Sequence, residues 1–271
     1  MKWNLGIISD EISQDFEHSL KVISELGANF VEIRNLWNKN VVSLSDSEIS
    51  EMRNLVVKYN LQISNLDSFT FKTYIDDEKE YREHLNVFKK VIELSKRLDL
   101  TYTRIFTFWY EGELDHYLDK LIERLSEAID IAKTEGIIIV IENEYSCLVG
   151  NGRDLKTLLD KVDTRWVKVL WDPGNAFVAR ETPFPNGYGL IKDHVTHMHV
   201  KDVKVINGGF KWMPIGKGSI NYRNQLSAVK NKPIVISLET HYRNDKNDPE
   251  ESTRESFLGM KKILNEIEDS F

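Results

Sequence analysis

The chain has a single cysteine, Cys147, among 271 residues. No intramolecular disulfide can form, and a reducing compartment fits. No apolar run approaches the roughly 18 residues that a membrane span needs. The apolar start of MKWNLGIISDEIS is too short for a signal peptide. The expectation is a cytoplasmic protein without a membrane partner. Positive charge is in deficit, with a formal net charge of -7, which argues against nucleic acid or an anionic membrane as the main partner. No Gly-x-Gly-x-x-Gly follows the first apolar run, so a dinucleotide fold has no support. A dedicated glycine-rich phosphate cradle is missing too.

What the chain does have is a regular alternation. Short runs rich in Ile and Val at 4–9, 29–33, 61–65, 102–108, 137–141, 167–171, 195–200 and 233–238 read as strands. Amphipathic segments at 16–26, 46–59, 76–98, 114–134, 154–162, 188–193, 222–229 and 250–267 read as the helices between them. Gly27 and Gly136 serve as helix stops. Eight strands, each followed by a helix, predict an α/β chain closed as a (β/α)8 TIM barrel. The chain length suits one such domain over residues 1–271. Residues 203–217 read as a long loop, a candidate lid or partner contact.

Chemistry in such a barrel belongs at the C-terminal ends of the strands. Four consecutive strands end there in metal-binding side chains: Glu142 in IIIVIEN, Asp172 in VKVLWDPGN, His199 in VTHMHVKD and Glu239 in PIVISLET. Three carboxylates cannot all ionise in one low-dielectric pocket without a compensating charge. A divalent cation supplies it. Three carboxylates and an imidazole suit Mn²⁺, and Mg²⁺, Co²⁺ or Zn²⁺ are compatible.

Other residues are candidates for the substrate. Period-2 geometry puts His197, His199 and Lys201 on one face. His197, one pleat deeper, is expected to pack inside the barrel or support a ligand, and Lys201 to meet a substrate oxygen or a nearby acid. Asn175 is expected either to donate to a substrate hydroxyl or only to form its turn, and Trp109 either to stack on a sugar ring or only to cap the barrel. Arg180 and Arg34 are candidate anion contacts, with solvated side chains as the bland expectation. His241 is expected in a loop within reach of substrate; Glu11 and Glu32, at the ends of the first two strands, are expected at the surface, with orientation of substrate hydroxyls as the alternative.

The IENE, WDPGN, HVKD and LET patterns together resemble the xylose-isomerase-like barrel superfamily, in particular its sugar-phosphate isomerase/epimerase members. The N-terminal GIISDEIS and the turn Gly216-Lys217-Gly218 fit the same resemblance, which therefore runs the length of the chain. It implies that Glu142, Asp172, His199 and Glu239 bind the metal. It also implies that Glu142 and Glu239 pass a proton on opposite faces of a sugar or sugar phosphate, and that the protein forms dimers or tetramers. The chemistry is coherent on its own terms: proton removal beside a polarised carbonyl gives a cis-enediolate. Reprotonation then epimerises or isomerises the sugar, whereas loss of a β-hydroxyl dehydrates it. The expected activity is a metal-dependent isomerase or epimerase of a ketose or sugar phosphate. A dehydratase of a cyclic keto-polyol and a non-catalytic sugar-binding barrel are the alternatives. An abasic-site endonuclease, also known in this superfamily, would need a basic rim that the acidic chain does not suggest.

Overall fold

The computed structural model describes residues 3–270. Its central strands are β1 (Asn4–Ile8), β2 (Phe30–Ile33), β3 (Gln62–Leu66), β4 (Tyr102–Ile105), β5 (Ile138–Glu142), β6 (Val167–Trp171), β7 (Val195–Val200) and β8 (Val235–Leu238). All their ladders are parallel. The spatial order β3-β2-β1-β8-β7-β6-β5-β4 follows the chain around a circle. Among the described residues the remaining junction, β3 against β4, has no ladder of its own. It is closed just past the strands, where Phe106 N–H donates to Thr70 O at 3.0 Å and Phe108 N–H to Phe71 O at 2.9 Å. The fold is the expected single-domain (β/α)8 barrel.

The helices form where capping and apolar spacing coincide. In α1 (Phe16–Leu26) Asp15 accepts from His18 N–H, and Gly27 ends the helix at φ 80, a conformation that costs glycine nothing. A reciprocal Ser45–Glu48 capping box opens α2 (Asp46–Lys58). In α3 (Glu78–Arg97) Tyr81, Leu85, Phe88, Val91 and Ile92 bury one stripe. Each such side chain is worth about 1.5–3 kcal/mol when fully buried. The outer ring continues through α4 (Leu114–Glu135), α5 (Gly152–Leu159), the short α6 (Pro173–Val178) and α7 (Tyr188–Ile191), then α8 (Tyr222–Val229) and α9 (Pro249–Glu268). No described helix is long and apolar enough to cross a membrane.

Two elements depart from the expectation. The fourth strand stops at Ile105 instead of running to residue 108, because the chain turns away and Phe108 takes φ 64. Within 203–217, the segment read as a loop is largely a β-hairpin, with Asp202–Ile206 paired antiparallel to Gly209–Met213. Asn207 and Gly208 at its tip take φ 52 and φ 80, the positive values of a two-residue hairpin turn. Asp202 ties the hairpin down: its Oδ2 accepts from Gly216 and Gly218 N–H, both at 2.9 Å.

Candidate metal centre

Period-2 alternation turns Glu142 on β5 and His199 on β7 into the barrel, and the first residue after β6, Asp172, and after β8, Glu239, lie beside them. One ligand atom from each of these four residues lies within 4.8 Å of the others, and all four residues are buried. His199 Nδ1 is 3.3 Å from Glu142 Oε1 and 3.6 Å from Glu239 Oε2.

The local sequence explains how Asp172 is held. It caps α6, accepting from Asn175 N–H on Oδ1 at 2.8 Å, with proline at the first helical position. Asn143 clamps its backbone, accepting from Asp172 N–H at 2.8 Å and donating to Asp172 O at 2.9 Å. Glycine is required at position 174, where a Cβ would meet Lys201 O at 2.8 Å. Each residue of the D-P-G-N turn therefore has a physical reason. Oδ2 of Asp172 is left facing the cluster.

Three fixed cations press on the four residues. Arg104, buried inside the barrel on β4, donates to Glu142 Oε2 at 2.5 Å and stands 3.4 Å from Asp67 Oδ1. Lys201 donates to Glu239 Oε2 at 2.6 Å and lies 2.9 Å from Asp172 Oδ2. Arg34 bridges Asp10, Glu11 and Glu239. Burial raises the Glu142 pKa, but Arg104 and His199 outweigh it and hold the carboxyl at about 2. Burial is likewise overcome at Glu239, which Lys201 and His241 hold well below the usual range. Burial wins at Asp172, pushed up to about 7 against Lys201, and at Asp67, pushed up to about 8 against Arg104.

A second layer lies beneath. Glu32 on β2 is fully buried and takes His199 Nε2 at 2.7 Å on one oxygen and His197 Nε2 on the other. His197 also lies 3.4 Å from Ser237 Oγ. Burial disfavours charge on His199, yet Glu32 and Glu142 raise its pKa well above 6.5. Opposite Ser237, Gly6 leaves the room a side chain would fill.

The candidates from sequence fall into several places. His197 is beneath the cluster, bound to protein, where it is shielded from a substrate. Lys201 is inside the cluster. Asn175 is buried, its Nδ2 donating to Asn143 O at 2.9 Å and reaching Glu142 Oε1 at 3.5 Å. Trp109 is at the rim, bridged to Cys147, with Lys72 over its ring at 5.3 Å. Arg180 is exposed and lines a separate outer cleft with Tyr110, Asn151 and Asp154. The surface expectation fails for Glu11 and Glu32, which are 5% and 0% exposed, and Arg34 is tied to three carboxylates where a solvated side chain was expected. Arg104 and Asp67 had no reading from sequence, because a lone arginine on a strand reveals nothing of its partner 38 residues away. Trp212 on the hairpin was missed too; it sits 4.9 Å ring to ring from His241, with Lys201 Nζ 5.7 Å from its centroid.

The donor set fits a divalent cation. Three hard carboxylates and one imidazole converge, and Asp172 Oδ2 is buried without a hydrogen bond. Lys201, although 2.9 Å from that oxygen, is too poorly aligned to donate to it. Metal binding here would displace the proton between His199 Nδ1 and the carboxylates.

A family model described as the xylose isomerase-like TIM barrel matches residues 20–263. An inosose dehydratase from Bacillus cereus is 25% identical over 199 residues, which is 70% of this chain and 64% of that protein. A fructoselysine 3-epimerase from Shigella flexneri is 25% identical over 200 residues, 69% of this chain and 71% of that one. The alignment thus spans less than two thirds of the dehydratase. Among solved structures, the IOLI protein with a bound zinc atom superposes with a TM-score of 0.80 at 18% identity, covering 97% of this chain and 99% of that one.

Proposed function

The chain belongs to the xylose isomerase-like TIM barrel family, and from that premise we propose that it is a divalent-metal-dependent isomerase or epimerase of a ketose or sugar phosphate. The observation that carries the reading is the convergence of Glu142, Asp172, His199 and Glu239 within 4.8 Å. These four residues would hold the metal, with Mn²⁺ the best match to the donors. When bound, such an ion polarises a substrate carbonyl and stabilises developing negative charge on its oxygen.

The chain's own residues supply the proton transfers. Glu142 ends β5 and Glu239 follows β8, with β6 and β7 between those strands, so the two reach the site from different directions. One, as the carboxylate, takes the proton beside the carbonyl to give a cis-enediolate, and the other, once it has itself taken up a proton, returns that proton from the other side. Return to the same carbon inverts it; return to its neighbour exchanges aldose and ketose. Arg104 orients Glu142, and Arg34 with Lys201 orients Glu239. Trp212 and the hairpin cover Lys201 and exclude water. Trp109 is offered to the sugar at the rim.

A second reading, dehydration of a cyclic keto-polyol, is favoured by the inosose dehydratase relative. It shares the first step and differs in expelling a β-hydroxyl. Proton NMR in D₂O with Mg²⁺-loaded protein, on free ketoses, their phosphates and inosose, tests both. Deuterium beside the carbonyl with a new epimer or aldose supports the isomerase, and a deoxy or vinylic product supports the dehydratase. Glu239→Gln should abolish exchange while remaining folded, and near-normal exchange would remove Glu239 from the mechanism.

A further inference from the structure

We infer that this site takes an uncharged polyhydroxylated substrate, a free ketose or cyclic keto-polyol, and rejects phosphorylated and carboxylated ones. The inference rests on the functional reading above and narrows its substrate class.

Recognition of a phosphate needs cations or backbone N–H groups left over to meet it. At this barrel mouth the cations are already committed. Arg34 is shared among Asp10, Glu11 and Glu239. Arg243 donates to Glu11 Oε2 at 3.1 Å, and to the carbonyls of Thr240 and Tyr242. Lys72 lies 3.2 Å from Glu144 Oε2. Arg104 and Lys201 are buried against the acids of the cluster. Carboxylates outnumber these five cations, and Glu32 beneath adds one more, paired with His197 and His199. A divalent metal would offset part of that excess and leave no surplus for an anionic substituent.

The basic side chains of the outer cleft and of the hairpin point elsewhere. Arg153 and Arg180 line the outer cleft with Glu113, Asp154 and Glu181. Glu181 already takes the N–H groups that open α5, from Gly152 at 2.7 Å and Arg153 at 3.2 Å, so that helix start is filled by the chain's own carboxylate. Lys204 and Lys211 pair across the hairpin. By alternation they face away from the side on which Trp212 lies over Lys201.

What the mouth offers is aromatic. Phe69, on the loop after β3, is 45% exposed. Phe106 and Trp109 both carry Lys72 over their rings. Such faces suit the C–H surface of a neutral sugar.

Calorimetric titration of Mg²⁺-loaded protein with D-tagatose, D-tagatose 6-phosphate, scyllo-inosose and 3-dehydroshikimate tests the inference. At least one neutral compound should bind tenfold or more tightly than the phosphate and the keto acid. Glu144→Gln, which releases Lys72, should narrow the gap between tagatose and its phosphate. Phosphate or keto acid binding as tightly as the neutral compounds overturns the inference, as does binding of none of the four or a gap untouched by Glu144→Gln. Binding is read apart from turnover. Neutral-over-anionic preference without deuterium exchange would therefore remove the enediolate reading and leave this one standing.

Discussion

Glu32 Oε2 lies 2.7 Å from His199 Nε2, on the ring edge opposite the one whose Nδ1 faces Glu142 at 3.3 Å. The imidazole is held between two buried carboxylates from β2 and β5. With the Nε2 proton donated to Glu32, the tautomer that presents a free Nδ1 lone pair to a metal is fixed, and the ring is made more basic.

Glu32→Gln should therefore weaken Mn²⁺ binding by about 10–100-fold while the chain stays folded. Calorimetric titration beside far-UV circular dichroism reads both. An unchanged affinity would mean that Glu32 only fills the barrel.

Lys201 contributes a cation to Asp172 and Glu239 that a metal would supplement. Removing one partner of a buried ion pair costs about 3–5 kcal/mol. Lys201→Met should lower the melting temperature sharply in chelator, and saturating Mg²⁺ should restore more stability to it than to the wild type. Equal metal-induced shifts in the two proteins would contradict this.

The metal-free protein should lose stability as pH rises from 6.5 to 8. Burial pushes Asp67 to about 8 and Asp172 to about 7, both from 3.8, while carboxylate neighbours raise His199 above 6.5 against burial. In that window the folded chain keeps protons that the unfolded chain has released. The stability these groups lend is full below their unfolded pKa values and is lost through the folded ones, at about 1.4 kcal/mol per pH unit for each such proton. His241, which burial and Lys201 hold down at about 4, acts in the opposite direction but mainly below pH 6.5. Urea midpoints in chelator should fall across the window. Saturating Mn²⁺ should reduce the slope, because Asp172 and His199 then bind metal in place of protons. A flat or rising midpoint in chelator would show that these groups are not protonated as described.

The barrel and its four convergent residues were legible because each ends its own apolar run, and strand position alone sends it to the mouth. Glu32 was not, since the run NFVEI alternates equally well with either face inward, and only the closed barrel brings His197 and His199 over it. Arg104 and Asp67 form their pairs across the β3–β4 junction and to β5, contacts that no local pattern records. The hairpin was legible in principle: Asn207-Gly208 between alternating residues is a strong hairpin signal, and its polar, glycine-containing tip is what makes the segment resemble a loop. Asp202 is a similar case, since its role becomes plain only when Gly216 and Gly218 fold back to it.

The most direct measurement is the metal content of dialysed protein after Mn²⁺ loading, for the wild type, Asp172→Ala and His199→Ala, with circular dichroism to verify folding. One ion per wild-type chain and loss of most of it in both folded variants is the predicted result. Full retention of the ion by both variants would contradict the metal site, and with it the proposed chemistry.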